Sequence, residues 1–231
     1  MSKFDNILIT GGAGYIGSHI VEKLVKNESN IFILDNLSTG FQNLINKKAK
    51  FIKGSVNDYI KVKNIIDNNK INSVIHLAAH LNISEAEKQK KKYYQNNILG
   101  TLKLIKACKH SNVKNIIFSS SCSVYGNIIG AVNEKKTPNP QGYYAYTKYK
   151  GEQIVKMYAK KYNYKYVILR YFNVAGASTS GKIGQINKGD QLFKNLSTET
   201  LKINPIFKIY GAKYNTKDGT CIRDYIHVSD I

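Results

Sequence analysis

The chain has 231 residues, 42% hydrophobic and 11% aromatic, enough to close one domain, or one domain and a small lobe, around a real core; wholesale disorder is excluded. Three cysteines, Cys108, Cys122 and Cys221, lie far apart without CxxC spacing, which excludes a disulfide scaffold and a zinc ribbon, leaves no metal site to expect, and suits a reducing compartment. The net charge is +20, but of 35 basic residues only Arg170 and Arg223 are Arg, and the Lys residues are scattered apart from Lys90–Lys92; phosphate and base readers favour the planar Arg fork, so no nucleic acid is expected as a partner.

In chain order, Met1 to Asn6 lacks the basic and apolar regions of a signal peptide, and no apolar run approaches the roughly 18 residues a membrane span needs. The expectation is a soluble cytoplasmic protein without a membrane partner. Asn6–Thr10 is a short apolar run ending in glycines, a buried strand. Tyr15–Lys26 has Ile16, Ile20 and Leu24 at helical spacing. Ile31–Leu34 and Ala49–Ile52 read as strands two and three, and Asp58–Asn69 as a helix with Ile65 and Ile66 inward. Ser73–Leu77 is a fourth strand. Glu85–Ser111 reads as one long helix, without Pro and with Leu99, Leu102 and Ile105 recurring. Asn115–Phe118 is a fifth strand, Tyr144–Tyr162 a helix, and Tyr166–Leu169 a sixth strand. Continuous apolar strands alternating with helices predict an α/β fold, a doubly wound parallel sheet. From residue 177 the chain is rich in Ser, Thr, Gly, Asn and Lys, with one helix expected around Gln191–Leu201. The boundary is set at 1–176 and 177–231. Near the end, Ser229 or Asp230 is expected to cap a helix entry.

Two segments carry chemistry. Thr10-Gly-Gly-Ala-Gly-Tyr-Ile-Gly17 joins the first strand to the first helix. Glycines there let the backbone turn tightly and approach a pyrophosphate at a helix N-terminus. Asp35, ending strand two, suits both ribose hydroxyls and repels a 2′-phosphate, which favours NAD over NADP. The second segment is Ser119–Gly126 after strand five, followed by Tyr144-Ala-Tyr-Thr-Lys148. A Lys one helical turn from a Tyr favours the phenolate, making the Tyr a base near neutral pH. Spacing alone does not choose the pair, because Tyr146 and Lys150 match as well.

Taken together these segments resemble the extended short-chain dehydrogenase/reductase family, the NAD-dependent epimerase/dehydratases, and within it the nucleotide-sugar 4-epimerases. The resemblance also covers Asp35–Gly40, His76–Ala79, Tyr93–Thr101, Leu169–Asn173 and Asp218–Val228. The family carries Ser or Thr just before the Lys and Glu four residues after it, which selects Tyr144, Thr147, Lys148 and Glu152. The resemblance implies that Gly11, Gly14 and Gly17 hold the NAD pyrophosphate beside Tyr15 and Ile16. Asp35 and Asn36 would hold the adenosine ribose. Ser55 and Val56 would complete the cofactor site, with Ser55 accepting from the adenine amino group where the family usually has Asp. Ala78 and Ala79 would line the nicotinamide side, with Asn97 near the cofactor. Tyr144 would be the base, Lys148 would bind the nicotinamide ribose and tune Tyr144, and Ser121 would hydrogen-bond the sugar. Asn173 and Arg223 would contact the UDP-sugar substrate, Arg223 through a phosphate. The implied reaction is inversion at sugar C4 in UDP-glucose and UDP-galactose.

Related dehydratases and decarboxylases carry acidic residues before Val-Tyr-Gly. Here Cys122 and Ser123 stand there, which favours epimerisation. Cys122 is read as a packed thiol, not a nucleophile. Leu81, Glu85-Ala86, Gln89-Lys90 and Asp190-Gln191-Leu192 depart from the family pattern. Family members continue beyond Asp224–Val228, so 177–231 is expected to be an incomplete substrate lobe. Two alternatives follow: an NAD-binding chain without catalysis, or another nucleotide-sugar oxidoreductase of the family. The resemblance also implies a homodimer, through the Glu85–Ser111 and Tyr144–Tyr162 helices.

Overall fold

The computed structural model describes residues 5–231 apart from Glu28, Ile129, Lys188, Asp190 and Tyr210. The first four residues of the leader reading, and Asp190 of the departure noted above, therefore lie outside the described residues. The chain forms two compact units, 1–171 and 172–231.

The first unit is built on six parallel strands: β1 (Asn6–Thr10), β2 (Asn30–Asp35), β3 (Lys50–Lys53), β4 (Ser73–His76), β5 (Asn115–Ser119) and β6 (Lys165–Leu169). Their order is β3-β2-β1-β4-β5-β6. Alternate side chains of the central strands enter two separate cores, as strands buried on both faces require. Leu8, Leu34, Val74 and Ile116 pack with Val62 and Ile66 of α2 (Tyr59–Asn68) and with Leu104 and Ile105. Ile7, Ile9, Ile31, Ile33 and Ile75 pack with Val21 of α1 (Tyr15–Leu24) on the opposite face.

Register sets the site. Thr10 pairs with Leu34 and His76, His76 with Phe118, and Ser119 with Leu169. Thr10, Asp35, His76 and Ser119 therefore all end their strands along one edge. The order reverses between β1 and β4, the crevice position where such sheets bind ligands.

The single helix expected over Glu85–Ser111 is corrected. Asn82 caps α3 (Ile83–Lys88), its side chain accepting from Glu85 N at 2.8 Å. Gln89, at φ −122° and ψ 48°, leaves helical geometry. There follow α4 (Lys90–Tyr93), a π-helical segment (Tyr94–Leu99) and α5 (Gly100–Ala107). The π segment keeps the chain helical but widens one turn, frequently at functional sites. Helix α6 spans Tyr143–Tyr162 and ends on Asn163 in the left-handed conformation.

In the second unit β7 (Asn173–Ala175) pairs in parallel with β8 (Tyr225–His227), a pairing absent from the sequence reading. Helix α7 spans Leu192–Glu199. The closing turn, Val228–Asp230, is 3-10, and its cap is His227, whose side chain accepts from Ser229 N. That corrects the cap expected at Ser229 or Asp230: the ring nitrogen reaches the free amide first. Among the described residues no helix is long and apolar enough to cross a membrane.

Candidate active site

The glycine loop is shaped by two close approaches. Gly11 sits at φ +76°, and a Cβ there would meet Ala78 N at 2.7 Å. A Cβ on Gly17 would lie 2.2 Å from Gly11 O. Only glycine lets the turn fold against α1, whose N-cap is Gly14. Tyr15 and Ile16 begin that helix; burial raises the Tyr15 phenol to about 12. The positive end of the helix dipole lies at the turn.

Asp35 is buried at the end of β2. One carboxylate oxygen accepts from Ala13 N at 3.1 Å and the other from Leu37 N at 2.8 Å. These bonds fix the carboxylate beside the loop with lone pairs to spare. Asn36 is exposed and accepts from Ser38 N. Ser55 accepts from Asn57 N, and Val56 is buried beneath the same turn. Ala78 N donates to Thr10 Oγ1 at 3.4 Å. The glycine cradle, the held Asp35 and the half-buried Ala78 and Ala79 together fit a dinucleotide.

Asn97 lies in the π segment, buried. Its Oδ1 accepts from His80 N at 2.9 Å, and its Nδ2 donates to His80 O at 3.1 Å and to Thr147 Oγ1 at 3.2 Å. It therefore brackets the loop after β4 and ties it to α6.

On α6, Tyr144, Thr147, Lys148 and Glu152 are all buried. A Cβ on Gly151 would lie 2.4 Å from Phe118 Cζ, so the helix rests directly on β5 there. That contact brings Lys148 over the end of β5, where Nζ donates to Ser119 O at 2.8 Å and stands 5.6 Å from the Phe118 ring centroid. Burial pulls Lys148 down to about 8, against the opposing pull of the Glu152 carboxylate. Burial pushes Tyr144 up, and its hydrogen bond with Ser121 works the other way. Ser121 follows β5 and caps the short 3-10 turn Cys122–Tyr125, accepting from Ser123 N at 3.2 Å. The first unit thus gathers Ser121, Tyr144 and Lys148 at one strand end. Asn173 and Arg223 belong to the second unit: Asn173 Nδ2 donates to Asp224 O at 3.0 Å, and Arg223 is exposed.

Two networks were not anticipated. Glu152 accepts from Arg170 through both oxygens, at 2.8 and 2.6 Å, and from Ser120 Oγ at 2.5 Å. Arg170 stacks 4.8 Å above the Tyr125 ring. The second network joins Thr10 Oγ1 to His76 Nδ1 at 2.7 Å and His76 Nε2 to Thr101 Oγ1 at 2.9 Å. A histidine inside the apolar run Val74-Ile75-His76-Leu77 was the available signal, because an unpaired polar group there is costly.

A family model of NAD dependent epimerase/dehydratase proteins matches residues 7–231. The chain is 41% identical over 227 residues to a UDP-glucose 4-epimerase of Lactobacillus helveticus, covering 97% of this chain and 69% of the relative. The UDP-glucose 4-epimerase of Brucella ovis, solved in complex with NAD, superposes with a TM-score of 0.91 at 36% identity, covering 98% of this chain and 70% of that one. That of Bifidobacterium longum, in complex with NAD+ and UDP, gives 0.88 at 32% identity, covering 97% and 71%.

Proposed function

The chain belongs to the NAD-dependent epimerase/dehydratase family, and from that premise we propose that it is a nucleotide-sugar 4-epimerase of the UDP-glucose/UDP-galactose type, using NAD. The observation that carries the reading is the grouping at the end of β5, in which Tyr144 and Lys148 are buried and Ser121 half-buried. It consists of Tyr144, the Ser121 hydroxyl that hydrogen-bonds it, and Lys148 one helical turn along.

NAD, when bound, supplies the acceptor and donor of hydride at the sugar's C4. Gly11, Gly14 and Gly17 hold its pyrophosphate, with Tyr15 and Ile16 alongside. Asp35 and Asn36 take the adenosine ribose, Ser55 and Val56 the adenine side, and Ala78, Ala79 and Asn97 the nicotinamide side. Tyr144 takes the proton of the sugar 4-hydroxyl and later returns it. Ser121 orients that hydroxyl, and the Lys148 ammonium favours the phenolate by its charge. Rotation of the keto sugar between the two proton transfers would present its opposite face, so that the C4–H bond re-forms with inverted configuration. Asn173 and Arg223 contact the substrate, Arg223 through phosphate. Cys122 and Ser123, where a dehydratase needs an acid to expel water, favour epimerisation.

The same reading assigns the protein to galactose metabolism in the cytoplasm, in keeping with three cysteines set far apart in the sequence, and makes it a homodimer joined through the helices of 83–107 and α6. The test is a proton NMR time course with NAD and UDP-galactose. UDP-glucose should accumulate with the natural chain and not with Tyr144→Phe. NAD binding without conversion would leave a cofactor-binding chain and overturn the epimerase reading.

A further inference from the structure

His76 is fully buried at the end of β4, and nothing in the proposed chemistry uses it. Its two ring nitrogens have fixed roles, because its neighbours decide them. Thr101 Oγ1 donates to Asn97 O at 2.6 Å. A hydroxyl has one proton, so Thr101 accepts from His76, and Nε2 carries the hydrogen. Nδ1 then accepts from Thr10 Oγ1, which itself receives the Ala78 amide. The ring is neutral: its surroundings pull its titration down to about 3, first by burial and then by the Lys148 charge.

The bonds do not stop at Thr101. Asn97, whose carbonyl Thr101 holds, grips His80 by both backbone groups and donates to Thr147 Oγ1. Thr147 Oγ1 in turn donates to Tyr144 O at 2.7 Å. One continuous series of hydrogen bonds therefore runs from the last residue of β1, where the glycine loop begins, through β4 and the π segment to the backbone of Tyr144. The π turn lacks the regular ladder of an α-helix, so the Thr101–Asn97 bond and the histidine behind it fix where Asn97 stands.

We propose that His76 is a positioning residue: as the Nε2–H tautomer bridging Thr10 and Thr101, it sets the π-segment Asn97 and through it the placement of Tyr144 against the Ala78–His80 backbone. The kinetic consequence rests on the epimerase reading; the structural consequence does not. Thr101→Val removes the hydroxyl at nearly unchanged volume, and Thr101→Ser restores it.

The test has two arms. In the first, the isotope-labelled tyrosine Cζ resonance of Tyr144, assigned with Tyr144→Phe, is followed in the NAD-loaded chain. It should move in Thr101→Val and return in Thr101→Ser. Nitrogen NMR should give His76 the neutral Nε2–H pattern. In the second, kcat for UDP-galactose should fall about tenfold or more in Thr101→Val with KM within about twofold, as expected when a reacting group is displaced without loss of substrate contacts, and Thr101→Ser should recover it. An unmoved Tyr144 resonance in Thr101→Val, or an Nδ1–H pattern for His76, overturns the proposal. If the natural chain converts no substrate, the epimerase reading falls while the Tyr144 resonance still decides this one.

Discussion

Glu152 is the most exposed to argument of the buried residues, because a carboxylate with no solvent access needs every lone pair answered. Arg170 and Ser120 answer three of the roughly four with hydrogen bonds. Truncating one partner of such a pair leaves the other charge buried alone, at about 3–5 kcal/mol. Glu152→Gln should therefore cost about 3 kcal/mol or more in urea unfolding. Because the Glu152 charge supports the Lys148 ammonium, the alkaline limb of the pH–rate profile should also move to lower pH. His76 gives a second handle. Its folded pKa lies near 3 against 6.5 when free. Between those values the unfolded chain binds a proton that the folded chain refuses, so stability falls as pH drops through that window, by at most about 1.4 kcal/mol per pH unit. Acid unfolding of the natural chain should be steeper there than that of His76→Gln. Asp35 stood out in the sequence as the acidic end of a strand, and Tyr144 and Lys148 as one of two equal spacings between which only the family resemblance chose. The partners of His76 were not legible, standing 66 and 25 positions away. Arg170 lies 18 from Glu152, across the connection from α6 to β6.

The elements follow the same division. The six strands and α6 were legible to within a residue or two, since continuous apolar runs and helical spacing mark them directly. The break in the region 83–107 was not, because a π segment preserves the apolar recurrence of Leu99, Leu102 and Ile105 that suggested one helix. Its start was readable in principle: Asn82 followed by Glu85 has the spacing of a cap and its third helical residue. Strands β7 and β8 have three residues each, too few for a periodicity to show. Helix α6 offers the sharpest element-scale prediction. Gly151 lets it rest on Phe118, and Lys148 and Tyr144 lie on the same helix. Ala is the better helix former by about 1 kcal/mol, yet its methyl must displace a packed ring, an overpacking cost of roughly 1–3 kcal/mol. Gly151→Ala should lower kcat about tenfold, by lifting the helix from the strand end, with a net stability loss near 1 kcal/mol by calorimetry. A variant as stable and active as the natural chain would mean that this contact does not set the height of Tyr144.

At the scale of the whole molecule, composition sets the part after residue 176 apart by its weak apolar periodicity, whereas the second compact unit begins at 172 and includes β7; among the described residues of that unit stand one α-helix and two three-residue strands. The charge of +20 poses the remaining question. The lysines are spread along the chain, and their summed field reaches beyond any one of them. An anionic dinucleotide approaching the glycine loop feels that field over roughly 30 Å at about 0.01 M salt and over roughly 8 Å at about 0.15 M. Its association rate should therefore drop several-fold, about three or more, between those conditions, since steering acts on encounter. Dissociation would be governed by the proposed short-range contacts at Gly11, Gly17 and Asp35, which salt screens little, and should change by less than about twofold. Stopped-flow measurement of NAD binding separates the two rates. A salt-independent association rate would mean that the lysines do not help to gather the cofactor, and that the charge reflects composition rather than function.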